Sequence, residues 1–445
     1  MSGSSAPGLI IAAPASNSGK TFFTLSLLRL LAIEGVLAQP AKVGPDYIDP
    51  AFHRAASGRT CYNLDTWAMR PSTLAHVLGR LSDDGQPVVC EGVMGLFDGA
   101  RGDNGANDGS TASLARLTGW PVVLIVDVSA QAASVAALVR GFAAHIPGVD
   151  IVGVIFNRVA GVGHRAILLD AMSQHLPHIP VIACLPREPA LCLPERHLGL
   201  VQAQEIDDLE PFLIAASAWL RQHVDLGAFT DLFRPSRALS VGDDPVPVPP
   251  LGQHIAIADD AAFTFTYAVV AEGWRAAGAE ISHFSPLAGE GPDPAADAVY
   301  LPGGYPELHA GRLAGNGFLS GLRAAAASGA TVFGECGGYM VLGQGLIDGN
   351  GTRHEMAGLL PLETSFAERR LHLGYRRLEL QTETPLGDRG RRFHGHEFHY
   401  ASIVTEETDN RLFVAADAAG TPLGAMGSAS GTVFGSFAHL IDRSD

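Results

Sequence analysis

The sequence predicts an α/β protein: a doubly wound parallel sheet in the N-terminal half, followed by a second α/β unit. Three observations carry this prediction. Short apolar, β-branched runs alternate with helix-forming segments from Leu9 onward, the pattern of parallel strands buried on both faces. Several of these runs end in Gly, Pro, Asp or Asn, which suit the edge where open α/β sheets bind ligands. Composition then shifts at R-P-S-R-A-L-S-V-G-D-D-P-V-P-V-P-P-L-G-Q, Arg234 to Gln253, a proline-rich stretch with little periodicity. The expected organisation is therefore one domain over 1–233, a linker over 234–252 and a second domain over 253–445.

A chain of 445 residues is long enough for two such domains, each with its own core. With 47% hydrophobic and 17% charged residues it reads as compact, and no apolar run reaches the roughly 20 residues of a membrane span. The N-terminal M-S-G-S-S-A-P-G lacks the basic segment of a secretory signal, so a cytoplasmic location is expected. A net charge of -16 argues against a general nucleic-acid binder, and any anionic ligand must meet a local basic cluster. The five cysteines form no C-x-x-C pair, which argues against a disulfide framework or a structural zinc site.

Leu9 to Ala13 reads as a buried strand running into P-A-S-N-S-G-K-T, Pro14 to Thr21, and then a Phe- and Leu-rich helix up to Glu34. This is a phosphate loop. Its small residues, Ser18 and Gly19 among them, let backbone N–H groups converge on phosphates; Lys20 reaches the terminal phosphates, and the Thr21 hydroxyl can ligate magnesium. Pro14 stands where the usual pattern has its first glycine. A second strand, Ala38 to Val43, delivers K-V-G-P-D-Y-I-D-P with Asp46 and Asp49 to the same edge. The strand Pro87 to Cys90 brings Glu91 there, where P-loop enzymes place the acid that holds magnesium. Gly92 and Gly95 then lead to Asp98. The runs Pro121–Val128, Asp150–Asn157 and Ile179–Leu185 continue the alternation, with helices near Ala132–Ala144 and His164–His175. Asp127 and Asn157 close two strands, and Asn157 is a candidate reader of adenine.

In the second half, strands are expected at His254–Ala258, Glu280–Phe284 and Ala298–Leu301, with a helix around Thr266–Ala277. The last of these strands enters P-G-G-Y-P-E. T-V-F-G-E-C-G-G-Y-M, Thr331 to Met340, reads as a nucleophile elbow: a strand, a small-residue turn with Cys336 at its apex, and a helix. The turn should leave the sulfur exposed, with the helix N-terminus favouring a thiolate. Backbone N–H groups of Gly303 or Gly304 and of Gly337 would form an oxyanion hole. In R-R-F-H-G-H-E-F-H-Y, Arg391 to Tyr400, the histidine spacing does not match a zinc helix. Strand alternation accounts for it better, with His396 and Phe398 on one face and Glu397 and His399 on the other. The final strand, G-T-V-F-G-S-F-A-H, ends at His439, the base that a nucleophilic Cys336 needs.

Taken together, K-V-G-P-D-Y-I-D-P, C-E-G-V-M-G-L-F-D-G, G-E-C-G-G-Y-M and G-H-E-F-H-Y resemble the cobyrinic and hydrogenobyrinic acid a,c-diamide synthases of corrinoid biosynthesis over nearly the whole chain. The resemblance implies a dethiobiotin-synthetase-like ATP domain joined to a flavodoxin-like class I glutamine amidotransferase domain. It implies that Cys336 attacks L-glutamine to form a thioester, with His439 as its base. Lys20, Thr21, Glu91 and Asp46 would bind ATP and Mg2+, and Asp49 and Asp98 would lie near the carboxylate being phosphorylated. Hydrogenobyrinate or cobyrinate would be the acceptor; the assembly is left open by the sequence, a homodimer being one candidate. Class I amidotransferases usually carry an acid two residues after the histidine; here that residue is Ile441, and Asp442 is one residue too far in a strand register, so a Cys–His dyad is expected. Cobyric acid synthase, nickel-sirohydrochlorin a,c-diamide synthase and a non-enzymatic P-loop switch remain as alternatives.

Overall fold

The computed structural model describes residues 6–101, 107–191, 195–196, 199–237, 246–406 and 410–444. Residues 1–67 and 74–242 form one compact unit; residues 68–73 and 243–445 form the other.

The first unit is built on an eight-stranded sheet, seven parallel strands with the short antiparallel Arg234–Pro235 beside the first of them. Strands β1 (Pro7–Ala12), β2 (Gln39–Val43), β3 (Tyr62–Leu64), β4 (Val88–Glu91), β5 (Val122–Asp127), β6 (Ile151–Val159) and β7 (Val181–Pro186) lie in the order β3-β2-β4-β1-β5-β6-β7, all parallel. Helices α1 (Lys20–Ile33), α2 (Asp49–Ser57), α3 (Pro71–Ser82), α4 (Thr111–Thr118), α5 (Val135–His145) and α6 (Val162–His175) connect them. Leu9, Ile10 and Ile11 of β1 are fully buried, as a central strand covered on both faces requires. Helix α1 carries Phe23, Leu27, Leu28 and Leu31 inward, while Phe22 packs edge-on to Phe212 and Trp219 of the helix Leu209–Arg221. Strand order determines the chemistry here. The chain leaves β1, builds β2 and β3 on one side, and returns to place β4 directly against β1, so the loops after β1 and β4 share an edge.

The expected linker is not free of structure at either end. Arg234–Pro235 pairs antiparallel with β1, and Trp274 donates to the Val248 and Pro249 carbonyls, so its last residues pack on the second unit. Residues 238–245 lie outside the described residues.

The second unit has a ten-stranded mixed sheet. Its parallel part runs Glu280–Phe284, His254–Ala258, Ala298–Leu301, Thr331–Glu335 and Val433–Ser436. It then continues antiparallel through Pro422–Ser430, Arg411–Ala416, His372–Leu380, Arg392–His399 and Ala438–Ser444. The three strands expected before Pro302 are found at the expected residues. The antiparallel half was not anticipated beyond its histidine-bearing strands. Val433–Ser436 pairs next to the cysteine strand and Ala438–Ser444 pairs with Arg392–His399, so the chain changes neighbours at Phe437, just before His439.

Candidate functional site

In the first unit, the phosphate-loop edge gathers a buried charge cluster. Thr21 Oγ1 donates to Glu91 Oε1 at 2.7 Å and lies 3.4 Å from Asp49 Oδ2. Lys42, 3% exposed, reaches Asp49 at 2.5 Å, Glu91 at 3.0 Å and Asp46 at 3.5 Å. His53 Nε2 meets the other Glu91 oxygen at 2.7 Å. Burial alone would depress the Lys42 amine, but Asp49, Glu91 and Asp46 lift it well above the usual lysine range. Burial likewise opposes ionisation of Glu91, but Lys42 and His53 hold its carboxyl far below the usual range. Lys20 contrasts with Lys42: burial pulls it down to about 8 against the pull of Glu91, and its amine rests on the Met94 carbonyl at 2.6 Å.

The loop after β4 folds over the phosphate loop. Leu96 N–H donates to Ala13 O, and a Cβ on Gly95 would stand 2.7 Å from Pro14 O. Asp98 accepts from Gly95 N–H at 2.9 Å, which fixes that turn. Asp46 Oδ1 accepts from the N–H groups of Ile48 and Asp49 at the entry to α2. Asn157 Nδ2 donates to Ser18 O at 2.9 Å, so in this structure Asn157 braces the phosphate loop next to Gly19. The sequence reading missed Lys42 and His53. Lys42 sits inside a quoted motif, but only the strand order shows that three acids converge on it.

In the second unit, Cys336 occupies a strained elbow. Its φ is 48° and ψ -107°, a backbone state that costs a non-glycine residue about 1–3 kcal/mol and that clusters at functional sites. Gly338 is needed directly behind it, since a Cβ there would be 2.0 Å from Leu301 O. Two expectations are corrected. The sulfur is not exposed: Cys336 is 2% exposed. Nor does the helix win a thiolate, for Gly337–Leu342 is only six residues long and wholly buried. Burial first, then Glu307, push the Cys336 thiol up, and the Gly337 N–H offsets only part of that.

His439 is fully buried beside it. A Cβ on Gly303 would stand 2.2 Å from His439 Cε1, 2.9 Å from its Nε2 and 3.2 Å from Cys336 Cβ, so one glycine separates cysteine from histidine. Burial, then His396 and His399, push His439 down to about 3, which keeps the imidazole neutral in this structure. A Cβ on Gly337 would be 3.1 Å from Gly304 N, which places the two expected oxyanion donors close together.

Asp442 departs from the expected register. Strand pairing skips Ile441: Leu440 lies opposite Gly395 and Asp442 opposite His394, a bulge that returns Asp442 to the face of His439. It is nevertheless engaged elsewhere, accepting from Arg70 N at 2.8 Å and Arg70 Nε at 3.0 Å. As expected, Glu397 and His399 share a face, joined at 2.8 Å. His372 stacks on His399, and ligand atoms of His372, Glu397 and His399 fall within 4.8 Å of one another; the Arg376 guanidinium, 2.6 Å from Glu397, already balances that carboxylate. His372 lies on another strand, so sequence spacing did not reveal the group.

Residues 9–201 match the CobQ/CobB/MinD/ParA nucleotide binding domain, and residues 254–445 match the CobB/CobQ-like glutamine amidotransferase domain. Three curated relatives, each called hydrogenobyrinate a,c-diamide synthase, span the whole length. The Brucella anthropi protein is 54% identical over 98% of this chain and 98% of its own. The Sinorhizobium sp protein is 52% identical and the Rhodobacter capsulatus protein 50% identical, with the same coverage. Fold, site and matches together define a glutamine-hydrolysing amidotransferase enzyme coupled to a nucleotide-binding domain. The chain belongs to the family that these hydrogenobyrinate a,c-diamide synthases represent. No helix among the described residues is long and apolar enough to cross a membrane.

Proposed function

We propose that the protein amidates the a and c side-chain carboxylates of hydrogenobyrinate, using ATP to activate each carboxylate and L-glutamine as the nitrogen source. The relatives' shared name favours hydrogenobyrinate over cobyrinate. The observation that carries the reading is Cys336, strained in an elbow, with His439 held against the same glycine, in a chain that also carries a phosphate loop.

A carboxylate does not accept ammonia, because oxide would have to leave; transfer of a phosphoryl group from ATP turns that oxygen into a leaving group. In our reading, Ser18, Gly19 and Lys20 hold the phosphates, while Asp49 and Asp98 line the place of the reacting carboxylate. Thr21, Asp46 and Glu91 present hard oxygen donors of the kind magnesium takes, and Thr21 and Glu91 touch, so these residues fit the ion. Bound there, Mg2+ would neutralise phosphate charge. Lys42 is the counter-charge that lets three acids share this edge.

On the glutaminase side, Cys336 Sγ bonds to the amide carbon as its proton passes to His439. The C–N bond then breaks as His439 returns that proton to nitrogen. Ammonia leaves, and water cleaves the thioester to glutamate. N–H groups of Gly304 and Gly337 face the oxyanion. The domain division at 234–252 is the proposed boundary between the two chemistries.

The test supplies MgATP and either glutamine or ammonium to the purified protein with hydrogenobyrinate or cobyrinate, and identifies the product by mass. The expected product is the diamide of hydrogenobyrinate, with ADP release that requires the acceptor. Cys336→Ala should abolish glutamine use and leave ammonium use intact; loss of both would refute the division of labour.

A further inference from the structure

We propose that Glu335, the residue immediately before the nucleophile, is the positioning acid for His439 and fills the role for which Ile441 offers no carboxylate. This rests on the glutaminase reading of Cys336 and His439. Glu335 Oε2 lies 3.9 Å from His439 Nδ1, with both side chains almost wholly buried. The carboxyl is fixed at each oxygen: Oε1 accepts from the Leu440 N–H at 2.9 Å, and Oε2 accepts from Tyr300 OH at 2.6 Å. One of those donors is the backbone of the residue next to the histidine, so strand Ala438–Ser444 itself holds the carboxyl against the imidazole. Of the other nearby acids, Asp442 is committed to Arg70 and Glu397 to His399 and Arg376, while Glu307 acts on the Cys336 side of the pair.

At 3.9 Å the contact is longer than a hydrogen bond, but catalytic contacts are often long before substrate binds, and a ring movement of about 1 Å closes this one. When Cys336 Sγ attacks, its proton moves to His439, and a buried imidazolium needs a counter-charge. Glu335 supplies it, and thereby fixes which ring nitrogen faces the sulfur. Burial, opposed by Tyr300 and the Leu440 N–H, pushes Glu335 up to about 7. Groups facing the pair from neighbouring elements are Tyr300, Glu307, His396, Glu397, His399 and Cys336 itself. With His439 neutral down to about 3, glutaminase kcat should fall as pH drops through about 7, because protonated Glu335 cannot balance the imidazolium.

Glu335→Gln in the full-length protein should lower glutaminase kcat by about 100-fold, with KM for glutamine within about threefold, since the lost interaction belongs to the transition state. It should also erase the acid limb near pH 7, which a purely structural role would not do. Glu335→Asp, keeping the charge, should recover about tenfold of that loss. Near-ultraviolet circular dichroism and thermal unfolding of the full-length variant report folding of the unit that holds Glu335. If Glu335→Gln fails that check, Tyr300→Phe decides: removing a donor should move the acid limb to higher pH, and an unmoved limb overturns the proposal. Glutaminase within about threefold of wild type in Glu335→Gln, with the limb retained, also overturns it. Cys336→Ala and His439→Ala run alongside separate the levels: activity surviving in those variants sinks the underlying glutaminase reading, whereas their inactivity beside an unaffected Glu335→Gln sinks only the role of Glu335.

Discussion

Gly303→Ala is the smallest change that should silence glutamine use, and its effect follows from the geometry. The added methyl would lie 2.2 Å from His439 Cε1 and 3.2 Å from Cys336 Cβ. Carbon atoms settle at about 3.5–4.0 Å, so the histidine contact is short by more than about 1 Å. The imidazole has little room to yield, with Glu335 on its Nδ1 side and Phe265 packed at 6.3 Å between ring centroids. A displacement of about 1 Å at a catalytic group costs about 100-fold in rate. The same overpacking costs about 1–3 kcal/mol of stability in this unit. The assay is ADP release with acceptor present, measured with glutamine and then with ammonium. Glutamine-driven turnover should fall about 100-fold while ammonium-driven turnover stays within about threefold of wild type. Undiminished glutamine use in a folded Gly303→Ala protein would refute the placement of His439 beside Cys336.

Two further outcomes follow from the buried charges. Burial holds Asp442 up at about 6 despite Arg70, so its contribution to stability is full below about pH 3.8 and is lost as pH rises through 6. Arg70→Ala removes the paired cation and should cost about 3–5 kcal/mol near pH 8, but much less near pH 5, where the carboxyl is protonated. Chemical denaturation at both pH values checks this, and equal losses would contradict it. Lys20, depressed to about 8, should be lifted when phosphates arrive, so MgATP binding above pH 8 should take up a proton. Calorimetry in buffers of different ionisation heat measures the uptake, which Lys20→Met should remove; no uptake in the unaltered protein would count against Lys20 as a phosphate ligand.

Much of the site was legible because its signals are local. The phosphate loop lies between a buried strand and a helix, and the glycines around Cys336 sit at a strand-to-helix turn; both patterns complete themselves within about ten residues. Lys42 and His53 escaped notice because a lysine in a motif looks the same whether it is solvated or held by three acids. Asp442 was misplaced for a related reason: a one-residue bulge at Ile441 leaves no mark in the sequence but changes which face every later side chain occupies.

By itself the sequence determined the alternation of strands and helices, the phosphate loop and the chemical identity of Cys336 and His439, since periodicity and turn chemistry act over short stretches of chain. Tertiary structure alone decided that β4 lies directly against β1 and that Lys42 is held by Asp46, Asp49 and Glu91 together. It also decided that the cysteine is buried and its thiol raised, and that the glutamate next to it in sequence faces the histidine. Burial and charge proximity set those properties, and both depend on residues distant in sequence that only the folded sheet brings together.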